Sequence, residues 1–169
     1  MASNAAILVV DTANLYYYIG KRFANRKLDY QKLLAKANDF AFVRRAIAYG
    51  TTISDEAVNF ITCLHKLGYE TQYRKPRIYG TGENRVIKRV DWNVGISIDV
   101  VRHVTAHRLD TVIVGSTSIE LVPLFLWIRE NGLRSLVIGA GIPREVRDAS
   151  DAQLDVSEDL LEDRMNGAG

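Results

Sequence analysis

The stretch Ala5 to Asn14, AAILVVDTAN, limits the fold more than any other part of the chain. Ile7 to Val10 is an unbroken apolar run rich in β-branched residues, and polarity begins only at Asp11, Thr12 and Asn14. A strand with one wet face alternates. A run without alternation belongs to a strand buried on both faces, as in the middle of a parallel sheet. Open sheets of that kind hold their ligands beyond the carboxyl ends of the strands, which is where Asp11 falls. Two roles fit Asp11: anchor of an acidic, metal-binding nuclease-type site, or, together with Asn14, cap of the helix that follows.

The rest of the chain supplies partners for such a strand. Phe42 to Thr52, Tyr69 to Tyr73, Leu109 to Gly115 and Ser135 to Gly139 read as further strands, and Asp151 to Val156 as a short edge strand. Helical spacing lies between them: Leu15 to Phe23, a short helix after Asp29, Ser54 to Leu67 stopped by Gly68, Val90 to Arg108, and a helix through Ile128 ended by Gly132. Alternating strands and helices make a parallel sheet covered on both sides through right-handed crossovers. The expected class is therefore α/β, three layers α/β/α around a mainly parallel, Rossmann-like sheet. At 169 residues the chain is one domain, with a core over about residues 5–157, an acidic helix near its end and a loose Met165–Gly169 tail. If the first strand is central and the chain turns back after the third, the first and fourth strands are neighbours. Asp11 then faces the Ser116–Glu120 loop across the switch point, with the helix carrying Asp99 feeding in from the side.

Several residues stand out against this frame. On the helix from Val90, apolar positions Val94, Ile98, Val101 and Val104 or Thr105 share one side, and Asp99 lies among them. A carboxylate there must face a polar cleft, a cation or Arg102 three residues on, because an unpaired buried charge costs about 3–5 kcal/mol. His103 and His107, one turn apart, read as solvated surface residues. Thr117 and Glu120 are spaced as a capping box. Tyr16, Tyr17 and Tyr18 in a row force at least one ring outward; packing under a loop and stacking on bases are the two readings. Cys63, the only cysteine, sits in an apolar pattern and reads as a small core residue.

From Arg74 to Arg89 the periodicity breaks. Arg74, Lys75, Arg77, Arg85, Lys88 and Arg89 face a single acid, Glu83, with Pro76, Gly80 and Gly82 between them. This composition describes a mobile basic loop or hairpin beside the sheet edge, and phosphate binding and a merely solvated surface loop are its two readings. With a net charge of only +2, nucleic-acid affinity has to come from such local clustering. No apolar run is long enough to span a bilayer and the first residues lack a signal-peptide pattern, so the expectation is a cytoplasmic protein. If Asp11, Asp99 and the loop containing Glu120 converge, the carboxylates repel one another unless a hard cation such as Mg²⁺ or Mn²⁺ sits among them.

At these residues the chain resembles the NYN domains of the LabA-like kind, within the PIN-like superfamily of metal-dependent ribonucleases. The family's opening D-G-x-N reads Asp11-Thr12-Ala13-Asn14 here, and its K-G-x-D-V segment with an aspartate six residues on reads Val90-Asp-Trp-Asn93-Val94 followed by Asp99. Its S-G-D-S-D-F-x-P-L signature corresponds to Ser116-Thr-Ser-Ile-Glu-Leu-Val-Pro-Leu124, and a later A-D-x-F-I-D-L segment to Ser150-Asp-Ala-Gln-Leu-Asp-Val156. The resemblance implies a catalytic set of Asp11, Asn14, Asp99 and Glu120, with Asp11, Asp99 and Glu120 on Mg²⁺ or Mn²⁺. It also implies a pocket including Asn93, Ser116, Thr117 and Ser118, and RNA as substrate. Two family aspartates are replaced, by Asn93 and Ser118; a third acid is Glu120, and Thr117 stands for the glycine.

Two functions follow. One is a metal-dependent ribonuclease that uses the acidic pocket, with the basic loop holding the strand. The other is an inactive module on the nuclease fold that binds RNA or protein. A phosphoacceptor domain would need a lysine where Gly139-Ala-Gly141 stands. The exposed third-strand edge is compatible with self-association.

Overall fold

The computed structural model describes residues 4–52 and 54–164. The expectation of a loose tail over Met165–Gly169 lies outside the described residues.

The apolar run occupies β1, Ala5–Asp11, in which every residue before Asp11 is buried. Asp11 caps α1, Thr12–Arg22, and Asp29 caps α2, Tyr30–Phe40, by accepting from the amides of Gln31 and Lys32. The chain continues through β2, Phe42–Thr51, α3, Asp55–Leu67, and β3, Glu70–Arg74. Gly68 closes α3 in the left-handed conformation, at φ +99°, which costs a glycine little. A separate antiparallel hairpin follows, β4, Arg77–Tyr79, and β5, Val86–Lys88. The second half runs α4, Asn93–His107; β6, Thr111–Gly115; α5, Val122–Glu130; β7, Arg134–Gly139; α6, Arg144–Ala149; and β8, Ala152–Asp155.

Six strands form one parallel sheet in the order β3-β2-β1-β6-β7-β8. The first strand is central, pairing with β2 on one side and β6 on the other, so the switch point lies between the ends of β1 and β6. Alternate residues of β1 serve opposite cores. Ile7 and Val9 pack with Tyr49, Ile96, Val100 and Phe125 on the face covered by α4, α5 and α6. Ala6, Leu8 and Val10 pack with Leu15, Ile19, Leu33 and Leu64 on the face covered by α1, α2 and α3. Among the described residues no helix is long and apolar enough to cross a membrane.

Four local expectations are corrected. The buried stripe of α4 is Ile96, Val100 and Val104, whereas Val94 and Ile98 are exposed. Trp92, just ahead of the helix, seats the true stripe by donating its indole N–H to the Gly50 carbonyl at 2.9 Å. Cys63 is exposed, because α3 buries only Leu64 fully. The three tyrosines of α1 do not pack under a loop: Leu15 and Ile19 take the inner side, and Tyr16, Tyr17 and Tyr18 are all exposed. The acidic helix near the end is only a 3₁₀ turn, Glu158–Leu160.

Candidate nucleic-acid interface

The crevice forms where β1 and β6 part. Asp11 ends β1 half-buried, and its Oδ1 accepts from the amide of Asn14 at 3.1 Å, the bond of a helix cap. Burial pushes its pKa up, against the lowering pull of the Asn14 and Ala13 amides, and the nearby Asp91 carboxylate adds to the rise. One turn along, Asn14 reaches across to the loop after β6. Its Oδ1 accepts from the backbone amide of Thr117 at 3.0 Å and from the Thr117 hydroxyl at 3.2 Å. The carboxamide oxygen is thus committed inside the protein, and the NH₂ group is what Asn14 has left to offer. The Thr117 hydroxyl is engaged here rather than at an amide of its own turn, so the expected capping box does not form, and Glu120 stays exposed. Ser116 is buried and its hydroxyl accepts from the Ser118 amide at 3.2 Å.

Two glycines let these pieces approach. A Cβ on Gly50 would lie 2.5 Å from the Tyr73 ring and 2.7 Å from the Thr12 hydroxyl, and one on Gly139 would collide with the Thr117 methyl. Thr12 in turn donates to the Tyr49 carbonyl at 2.9 Å and meets the Tyr73 hydroxyl at 3.1 Å. In the first turn of α4, the Asn93 amide donates to Asp91, but the Asn93 Oδ1 is buried without a partner among the described residues.

Asp99 belongs to another network. Its Oδ2 accepts from the Tyr49 hydroxyl at 2.9 Å, and Arg102 stands 3.9 Å from its Oδ1. Nearby, Arg45 donates to Glu70 at 2.9 and 3.0 Å and to His103 Nδ1 at 2.9 Å. Accepting from a guanidinium requires an unprotonated nitrogen, and burial and the Arg45 charge both lower the His103 pKa. His103 is therefore tied down, unlike the solvated residue expected; His107, stacked on it, is exposed. No group of three or more His, Cys, Asp or Glu side chains that could hold a metal ion occurs among the described residues. The expected meeting of Asp11, Asp99 and Glu120 is not made: the first caps its own helix, the second is held by a tyrosine, and the third is turned to solvent.

The basic segment, expected as a loop or a hairpin, is a hairpin, with Arg77 opposite Lys88 and Tyr79 opposite Val86. It leaves the sheet at its carboxyl edge, the edge on which Asp11 lies. Arg74 stacks over the Trp92 ring at 4.8 Å and the Val90 amide donates to the Thr51 hydroxyl at 3.2 Å, pinning both feet. Arg74, Lys75, Arg77, Arg85, Lys88 and Arg89 are all exposed, and none forms a salt bridge among the described residues.

The sequence pattern of the NYN domain matches residues 5–158, nearly the whole chain. The protein belongs to the NYN domain family. A protein of unknown function from Vibrio parahaemolyticus has the same fold, with a TM-score of 0.79 at 23% identity over 95% of this chain and 98% of that one. MurG of Acinetobacter baumannii aligns over 94% of this chain and 42% of its own at 10% identity and a TM-score of 0.45, too slight a likeness to carry an argument. Curated proteins gave no match. Sequence reasoning missed Thr12, Tyr73, Asp91 and Trp92 as parts of the NYN crevice. Thr12, Asp91 and Trp92 sit inside the quoted motifs, whereas nothing local marks Tyr73, whose role depends on the missing side chain of Gly50.

Proposed function

We propose that this NYN domain is an RNA-binding module whose crevice contacts the RNA backbone or a base edge without cleaving it. The observation that carries this reading is the engagement of the Asn14 carboxamide oxygen by Thr117, at 3.0 and 3.2 Å. It turns a potential ligand for a cation into a donor, which suits phosphate or carbonyl oxygen. The surrounding donors agree. Serine, threonine and asparagine predominate, Asp11 and Asp91 are the carboxylates that act on each other there, and Asp99 is occupied by Tyr49. The residues present do not fit the three-carboxylate Mg²⁺ or Mn²⁺ site that the family resemblance implies, and no hydrolytic step is assigned to them. The hairpin supplies the electrostatic attraction, six exposed cations rooted beside the crevice.

The test uses purified protein with single-stranded and structured RNA, in Mg²⁺, in Mn²⁺ and in chelator. RNA should be retained without cleavage, and retention should weaken with salt. Replacing Arg77, Arg85, Lys88 and Arg89 by alanine should flatten the log–log salt dependence by up to about 3, given roughly 0.7 per neutralised phosphate of a single strand. Metal-dependent cleavage that disappears in Asp11→Asn would restore the nuclease reading. Loss of retention at every salt concentration would remove RNA altogether.

A further inference from the structure

Building on the RNA-binding reading, we propose that a shallow cavity on α1, between Tyr16, Tyr17, Gly20, Lys21 and Asn25, receives one unstacked base of a single-stranded RNA. The cavity measures about 230 Å³. Pockets for drug-sized ligands run from roughly 300 Å³ upward, so its occupant is a small group such as one planar ring. Its walls suit that ring. Tyr16 and Tyr17 are 63% and 59% exposed and neither packs in the core, while the Tyr17 and Tyr18 rings brace each other edge to face at 5.0 Å. Gly20 keeps the floor low, since a side chain there would point at Asn25.

Asn25 reaches the cavity because two successive non-glycine residues, Ala24 at φ +51° and Asn25 at φ +63°, adopt the left-handed conformation. The Asn25 amide then donates back to the Gly20 carbonyl at 2.7 Å, folding the residue over the last turn of the helix. A carboxamide at the rim of an aromatic slot can pair with a base edge, as asparagine does with adenine. The charge pattern favours a polyanion over a protein partner of mixed sign. No acidic residue occurs between Asp11 and Asp29, while Lys21, Arg22, Arg26 and Lys27 all lie in that stretch. Asn14 and Gly20 are six residues apart on one helix, about 9 Å along its axis and about 120° around it, so a strand that reaches both wraps partly round α1.

Anisotropy titration of the full chain with a labelled oligoadenylate, and with an abasic ribose-phosphate oligomer of equal length, tests this. Wild-type protein should prefer the oligomer that carries bases by about 5- to 150-fold, the range for stacking one base. The double change Tyr16→Ala and Tyr17→Ala should abolish the preference, and Tyr16→Phe with Tyr17→Phe should keep it. Gly20→Leu should also abolish it while leaving the melting temperature intact, because its Cβ meets only ordinary contacts at 3.7 and 3.8 Å. The hairpin alanine variant should weaken both oligomers alike. If RNA is held but the preference is missing, or survives both the double alanine change and Gly20→Leu, the cavity proposal falls while the RNA reading stands, and the tyrosines pass to a protein partner. If neither oligomer binds, both readings fall.

Discussion

Around Asp99 each polar group is met from within the chain. Tyr49 donates to its carboxylate, Arg102 stands beside it, and Arg45 holds Glu70 and His103 together a little further along. The crevice at the ends of β1 and β6 is put together differently. Asp11 is half-buried with only backbone amides to offset its charge, Asp91 opposes it, and the Asn93 oxygen is buried with no partner. Both regions centre on an aspartate that the sequence made conspicuous, yet the flank of α4 is complete and the crevice is not. An unmet buried polar group costs about 1–3 kcal/mol, and the one unpartnered buried side-chain oxygen or nitrogen among the described residues, the Asn93 Oδ1, lies in this corner, where an outside ligand can supply the missing contact.

The largest expected effect that would break this contrast comes from the glycines of the crevice. Gly139→Ala should drive the Thr117 methyl away, loosen its bonds to Asn14, and cost about 1–3 kcal/mol in urea unfolding, with RNA affinity falling alongside. An unchanged stability would mean that the loop after β6 gives way freely and that the crevice is not preorganised. A smaller effect belongs to the other region. Tyr49→Phe keeps the buried ring but removes the donor to Asp99, and should cost about 1 kcal/mol with RNA binding untouched. Weakened RNA binding in that variant would join the two regions into one site.

The smallest effect has the opposite sign. A raised pKa means that the folded chain binds the Asp11 proton more readily than the unfolded chain does. Stability is therefore gained as pH falls through the raised value, and lost as pH climbs from the ordinary aspartate range past it. Asp11→Asn keeps a good cap and removes that loss, so its melting temperature should lie slightly above wild type at neutral pH and converge with it in acid. A lower melting temperature at neutral pH would show that the carboxylate is satisfied after all, and that Asp11 resembles Asp99.

Much of the architecture was legible in the sequence because it rests on local signals. Unalternating runs gave the central strands, Gly68 and Gly132 marked helix ends, and the broken periodicity with Pro76, Gly80 and Gly82 among the basic residues marked Arg74 to Arg89 as a loop or hairpin. The failures lie where two local readings were equally apolar or where the deciding partner was distant. The segment Val94 to Val101 is apolar on most sides, and only Trp92, bound to Gly50 from across the sheet, selects which side turns in. Cys63 follows apolar neighbours, but α3 leads into the edge strand β3 and buries only Leu64 fully. At the crevice, Asp11 and Asn14 were found from their position at a strand end. The fates of Asp99 and Thr117 depended on Tyr49 and Asn14, some fifty and a hundred residues away in sequence.

The outward placement of Cys63 has a practical consequence. As the sole thiol, on the outer side of α3, it accepts one maleimide dye or spin label without any engineering of the chain. The same atom allows two molecules to become linked through α3 in air. A dimer seen without reductant therefore has to be examined again with reductant before any meaning is attached to it.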